Sequence, residues 1–163
     1  MTEQPATGPD PRRIAVDADV FVADLLIDGD ARTALDVLFG HSWLTVIASD
    51  RVIADAMATI SDIASERLAA TWHDRVEELH QTVDHPDGDH PGLASARAGS
   101  DAQLLSYDDR LTSAEGGTWI KGRVELSVRS PKAFNLIFDP ATVWEMVGEG
   151  AYEGPDRPPR ATS

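Results

Sequence analysis

The 163-residue chain has no cysteine, which excludes disulfides, thiolate metal sites and a cysteine nucleophile. Lysine is almost missing too: Lys121 and Lys132 are the only ones, so the bases are nearly all arginine. Bases are scarce altogether, with 14 Lys and Arg against 28 Asp and Glu, a formal net charge of -14. No apolar run approaches the roughly 20 residues that a membrane-spanning helix needs. Met1 to Pro11 lacks the charged and apolar regions of a secretory signal. A cytoplasmic protein with no membrane association is the expectation.

A chain this acidic repels itself in dilute buffer, whereas in molar salt the Debye length falls to about 3 Å. The composition therefore resembles that of proteins from salt-loving microbes with a salty cytoplasm. At 42% hydrophobic residues the chain can bury one ordinary core, and its length suits one domain. Residues 1–11 and 148–163 are rich in Pro, Gly, Thr and charge and are expected as flexible tails around a domain at 12–147.

Within that domain the pattern alternates between strand and helix. Ile14 to Val20 reads as a central strand with acids at its far end. Asp30 can cap a helix carrying Ala34, Leu35, Leu38 and Phe39 and ending at Gly40. Trp43 to Ala48 is the next strand, after which Ser49 or Asp50 caps a helix with Val52, Ile53, Ala56, Met57 and Ile60 on one face. A helix over Ala64–Leu79, a loop from Thr82 to Pro91 and a short helix over Gly92–Ala98 follow. Strands are expected at Gln103–Ser106 and, after the Gly116-Gly117 loop, at Val124–Val128. Ser130-Pro131 opens the last helix. Strands separated by helices predict an α/β fold, a three-layer α/β/α sandwich with a central, mostly parallel sheet.

Ligands of such sheets bind beyond the carboxyl ends of the strands, near the point where strand order reverses. Asp17 and Asp19 stand toward the end of the first strand, on one face by strand alternation. Asp108 and Asp109 directly follow the strand at 103–106. Asp55 lies in the first turns of its helix, and Asp89 just before another. Four carboxylates, Asp17, Asp55, Asp89 and Asp108, can converge there, and crowded carboxylates repel unless a cation neutralises them. Hard oxygen donors suit Mg²⁺ or Mn²⁺. With acids this frequent, four chosen positions are all acidic by chance roughly once in a thousand.

The run Val16-Asp-Ala-Asp-Val-Phe-Val22 resembles the opening strand of PIN domains, and Ser49-Asp-Arg-Val-Ile-Ala-Asp55 resembles their next motif, a capped helix with an inward acid. The segments Asp89-His-Pro-Gly-Leu-Ala-Ser-Ala96 and Gly99-Ser-Asp-Ala-Gln-Leu-Leu-Ser-Tyr-Asp108 are similar to that family's Asp before a helix start, then strand, then Ser/Thr-x-Asp. Val128-Arg-Ser-Pro-Lys-Ala-Phe134 is similar to its last strand-to-helix step. The resemblance spans roughly residues 13–138. Asp55 stands where glutamate is commoner, Asp19 where Asn is common, and Gly92 where a bulky apolar residue is usual.

This resemblance implies a metal-dependent ribonuclease, related to toxin nucleases of that family, in which Asp17, Asp89 and Asp108 hold Mg²⁺ or Mn²⁺. Asp55 completes the ligand shell, with Asp62 as a substitute two turns along the same face, and Asp19 acts as a supporting partner. Ser106, Arg51, Arg110 and His90 are the candidate contacts to an RNA substrate, Ser106 being placed to hydrogen-bond either a phosphate or a ligand carboxylate; Arg97 also falls beside the motifs, and Asp109 reads better as a helix cap. A small antitoxin-like partner protein and a homodimer are the implied assemblies.

Other readings are weaker. His73, His80, His85 and His90 crowd one stretch, but their spacing matches no helix-based zinc signature. The tryptophans read as core or interface anchors. Asp17-Ala-Asp-Val also resembles the opening of haloacid-dehalogenase phosphatases. That class needs a lysine before its later acidic pair, and both lysines follow Asp108-Asp109. A receiver domain fails on similar grounds. The remaining rival is a catalytically weak or inactive interaction module that keeps the fold.

Overall fold

A computed structural model describes residues 10–83, 101–108, 118–121 and 124–158. The chain is an α/β protein whose helices flank one sheet in a three-layer sandwich. Its strands are β1 (Asp10–Val16), β2 (Thr45–Ser49), β3 (His80–Val83), β4 (Asp101–Leu105), β5 (Thr118–Lys121) and β6 (Val124–Arg129). The helices among the described residues are α1 (Ala18–Leu26), α2 (Gly29–Phe39), α3 (Asp50–Ile63), α4 (Glu66–Glu77), α5 (Pro131–Ile137) and α6 (Pro140–Val147).

Strand order is β3-β2-β1-β4-β6-β5, with every neighbouring pair parallel except β5 with β6. The chain builds outward from β1 to β2 and β3, then returns past β1 to place β4 on the other side. Order therefore reverses between β1 and β4, and the crevice beyond their carboxyl ends is where such sheets bind ligands.

Several expected boundaries shift. The first strand ends at Val16 rather than Val20, because Asp17 Oδ1 accepts the Ala18 amide at 2.8 Å and starts α1. That helix was not expected. Its buried Val20, Phe21, Ala23 and Asp24 follow helical spacing, so packing, more than the modest helix propensity of its valines, makes it helical. Asp28, not Asp30, precedes α2, and Asp28 and Gly29 have φ of 75° and 58° in the sharp turn between the two helices. β3 occupies residues that include the start of the expected loop at 82, and β5 and α6 are additions. Ser49 caps α3 through the Val52 amide, and Ser130 caps α5 through Ala133, with Pro131 in the first turn.

The core lies between the sheet and the α1–α4 layer: Ile14, Val16, Phe21, Leu35, Leu38, Ile60 and Phe134 have no more than 1% exposure. Phe21 meets Trp72 edge-on, with centroids 5.7 Å apart. Aliphatic residues in β1, β2 and β4 are buried continuously, as expected for a strand covered on both faces.

The C-terminal stretch departs from the loose tail expected after 148. The amides of Asp156 and Arg157 both donate to Gly40 O at 3.0 Å. Asp156 accepts the Ser42 amide at 2.6 Å and the Ser42 hydroxyl as well. Buried His41 bonds Val37 O and the Tyr152 hydroxyl, each at 2.7 Å. A carbonyl can only accept, so Nδ1 carries a proton toward Val37 and Nε2 shares the bond with Tyr152. Tyr152 stacks on His41, and Trp43 meets Trp144 at 5.1 Å. Replacing Tyr152 by alanine removes a partner from a buried ring nitrogen and is expected to cost about 1–3 kcal/mol, read as a lower urea midpoint at unchanged slope.

Candidate acidic site at the strand-order reversal

β1 and β4 pair with Val16 opposite Leu105, and the ladder runs one residue beyond both strands. The Asp17 amide donates to Leu105 O at 2.9 Å, and the Ser106 amide to Arg129 O at 3.0 Å. Asp17 and Ser106 thus stand side by side on fixed backbone. Ser106 Oγ donates to Asp17 Oδ2 at 2.8 Å, and both residues are buried. Asp17 therefore accepts on both oxygens, one from Ser106 and one from Ala18. The two bonds hold its orientation.

The next two residues continue the arrangement. The Tyr107 amide donates to Asp19 Oδ2 at 3.1 Å, and the Asp108 amide to Ser106 Oγ at 3.0 Å. Ser106-Tyr107-Asp108 therefore holds Asp17 by a side chain and Asp19 by a backbone amide, and presents a third carboxylate. α3 supplies Asp55. Asp17, Asp19, Asp55 and Asp108 all line one pocket of about 710 Å³, together with Thr59, Tyr107 and an apolar wall from α1. No Lys or Arg is among these lining residues.

Electrostatics follow from that composition. Burial first, and the neighbouring Asp17 carboxylate second, push the Asp19 pKa up to about 7. Asp19 Oδ1 is buried and, among the described residues, has no hydrogen-bond partner. An orphaned carboxylate oxygen beside other carboxylates suits a cation or a retained proton. The donor set, all oxygen, fits Mg²⁺ or Mn²⁺ better than a softer ion. The carboxylates are not drawn tightly together: among the described residues, the three ligand-type side chains found within 4.8 Å of one another are His73, Asp74 and Glu77, on the surface of α4.

Of the residues singled out from sequence, Asp17, Asp55 and Asp108 are brought to one pocket, and Asp19 joins them from the first turn of α1 rather than from a strand. Ser106 is buried and bonds Asp17, which makes it a positioning residue rather than a contact for substrate. Arg51 is exposed, outside the pocket lining, and pairs with Asp55 at 3.4 Å. Asp62 is exposed at the far end of α3 and does not line the pocket. Asp89, His90, Asp109, Arg97 and Arg110 lie outside the described residues. Tyr107 was not singled out; its position between Ser106 and Asp108 in the Ser-x-Asp step was the available signal.

Fold and site together define an α/β protein with an acidic pocket at its strand-order reversal. Residues 8–160 match the family of unknown function DUF7384, and the chain belongs to that family. A comparison with curated proteins gave no match. No helix of the described residues is long and apolar enough to cross a membrane.

Because the folded protein binds the Asp19 proton more tightly than the unfolded chain does, this group stabilises the fold fully below its ordinary pKa of 3.8. That contribution is lost as pH rises through about 7. Metal-free protein is therefore expected to lose urea stability between pH 4 and 7, and Asp19→Asn to flatten that part of the profile. An unchanged slope in the variant would reject the assignment.

Proposed function

We propose that the protein is a Mg²⁺- or Mn²⁺-dependent ribonuclease of PIN-like type, acting in the cytoplasm. The observation that carries this reading is the convergence of Asp17, Asp19, Asp55 and Asp108 on one pocket whose described lining includes no Lys or Arg. Asp17, Asp108 and Asp55 would hold the ion, with Asp89 as the further ligand that the sequence resemblance supplies. A bound divalent cation supplies Lewis acidity toward a phosphodiester and lowers the pKa of an attacking water.

The chain's own residues set the conditions for that chemistry. Ser106 and the Ala18 amide keep Asp17 in one orientation. The Tyr107 amide fixes one oxygen of Asp19 and leaves the other for a proton or an ion.

A second reading, a binding module with weak or no catalysis, is favoured by one contact. Arg51 already engages Asp55, and Asp55 has to be shared or released for the ion. An antitoxin-like protein or a second copy of the chain, the partners that the sequence resemblance implies, is compatible with either reading.

The two readings separate in one assay, with short single-stranded RNA in high-salt buffer containing Mn²⁺ or Mg²⁺. Cleavage is expected with metal and none with chelator. Asp17→Asn and Asp108→Asn are expected to lower the rate by at least about a hundredfold and Ser106→Ala by about 10–100-fold. Metal-independent cleavage, or full activity in Asp17→Asn, would exclude the proposed site; no cleavage across a broad RNA panel would favour the binding module.

A further inference from the structure

The acidic pocket has a second, chemically different wall. Val22 and Ala23 of α1, Ile27 just beyond it, and Tyr107 line the same space as the carboxylates. Ile27 is 75% exposed and Tyr107 is 41% exposed, so both present apolar surface to anything entering. A volume of about 710 Å³ lies in the range of pockets that take a small organic ligand, whereas a site for an ion alone needs no apolar wall.

The backbone of Tyr107 is tied to the site, its amide donating to Asp19 at 3.1 Å. Its neighbour in sequence is Asp108, so the ring stands next to the carboxylates that would face a phosphate. Net charge adds a constraint. In a chain of -14, with no Lys or Arg among the described pocket-lining residues, those side chains supply no affinity by neutralising phosphates. Stacking of a base on an aromatic ring supplies affinity that does not depend on net charge.

Resting on the ribonuclease reading, we propose that Tyr107, flanked by Ile27 and Val22, is the specificity-determining platform on which one unpaired base of the substrate stacks beside the phosphate to be cut. A base inside a duplex has both faces covered and cannot meet the ring. The site therefore selects unpaired nucleotides, and an abasic residue at that position forfeits the contact.

The test measures binding separately from cleavage. Fluorescence polarisation with a labelled single-stranded RNA, in Mn²⁺ on ice with a gel check that the RNA stays intact, compares wild type with Tyr107→Phe, Tyr107→Leu and Tyr107→Ala, each confirmed folded by circular dichroism. Tyr107→Ala and Tyr107→Leu are expected to weaken binding about tenfold and Tyr107→Phe less than about threefold. Duplex and abasic RNA are expected to bind wild type as weakly as the single-stranded RNA binds Tyr107→Ala. Equal binding by wild type and Tyr107→Leu, or by duplex and single strand, would overturn the platform, while cleavage by wild type would leave the ribonuclease reading standing. Tyr107-dependent binding without cleavage supports the platform and removes the nuclease. No RNA binding by wild type overturns both.

Discussion

The hydrogen bond from Ser106 to Asp17 ties together the ends of the two central strands at the point where strand order reverses. Much of the site geometry depends on it. The β1–β4 register brings the two residues abreast, and the bond fixes the carboxylate that also starts α1. The same hydroxyl accepts the Asp108 amide, so one buried oxygen sets two acids. Losing a partner inside a buried polar network costs more than any single surface contact, because the remaining groups have no water to turn to.

Around that bond the protein tolerates an unfavourable concentration of negative charge. Four carboxylates share a pocket and one is pushed toward neutrality by burial and by its neighbours. A fold that merely needed stability would place these acids apart in water. Their collection in the crevice at the strand-order reversal is the arrangement that the proposed cation site would use. The family match identifies relatives of this chain but assigns no chemistry; the proposed cation rests on the grouped carboxylates, and the proposed RNA substrate on the resemblance to PIN domains.

The second organising feature is the C-terminal clasp. Tyr152 and Asp156 close over His41 and Ser42 at the turn after α2, and the Asp156 and Arg157 amides bond Gly40. Its sequence, rich in Gly, Pro and charge, has none of the periodicity that announces a packed element. Scattered polar contacts between distant segments hold it, and these leave no local pattern. The Arg51–Asp55 pair is equally hard to anticipate in effect: the spacing permits it, but whether the acid faces a pocket or solvent depends on how α3 packs.

Alternation of apolar runs with amphipathic stretches was enough to determine the parallel α/β class, since burial on both faces and burial on one face leave different periods. Ser49 and Ser130-Pro131 marked their helix starts, because capping is local chemistry. Strand pattern likewise placed Asp17 toward the end of the first strand and Asp108 just beyond a later one. Tertiary structure alone decided that β1 stops at Val16 and that Asp19 lies on a helix. It also turned Ser106 inward to hold Asp17 and set Tyr107 beside the acids. Those outcomes come from strand register and helix packing between segments some 90 residues apart in sequence, and such long-range pairings have no signature in either segment by itself.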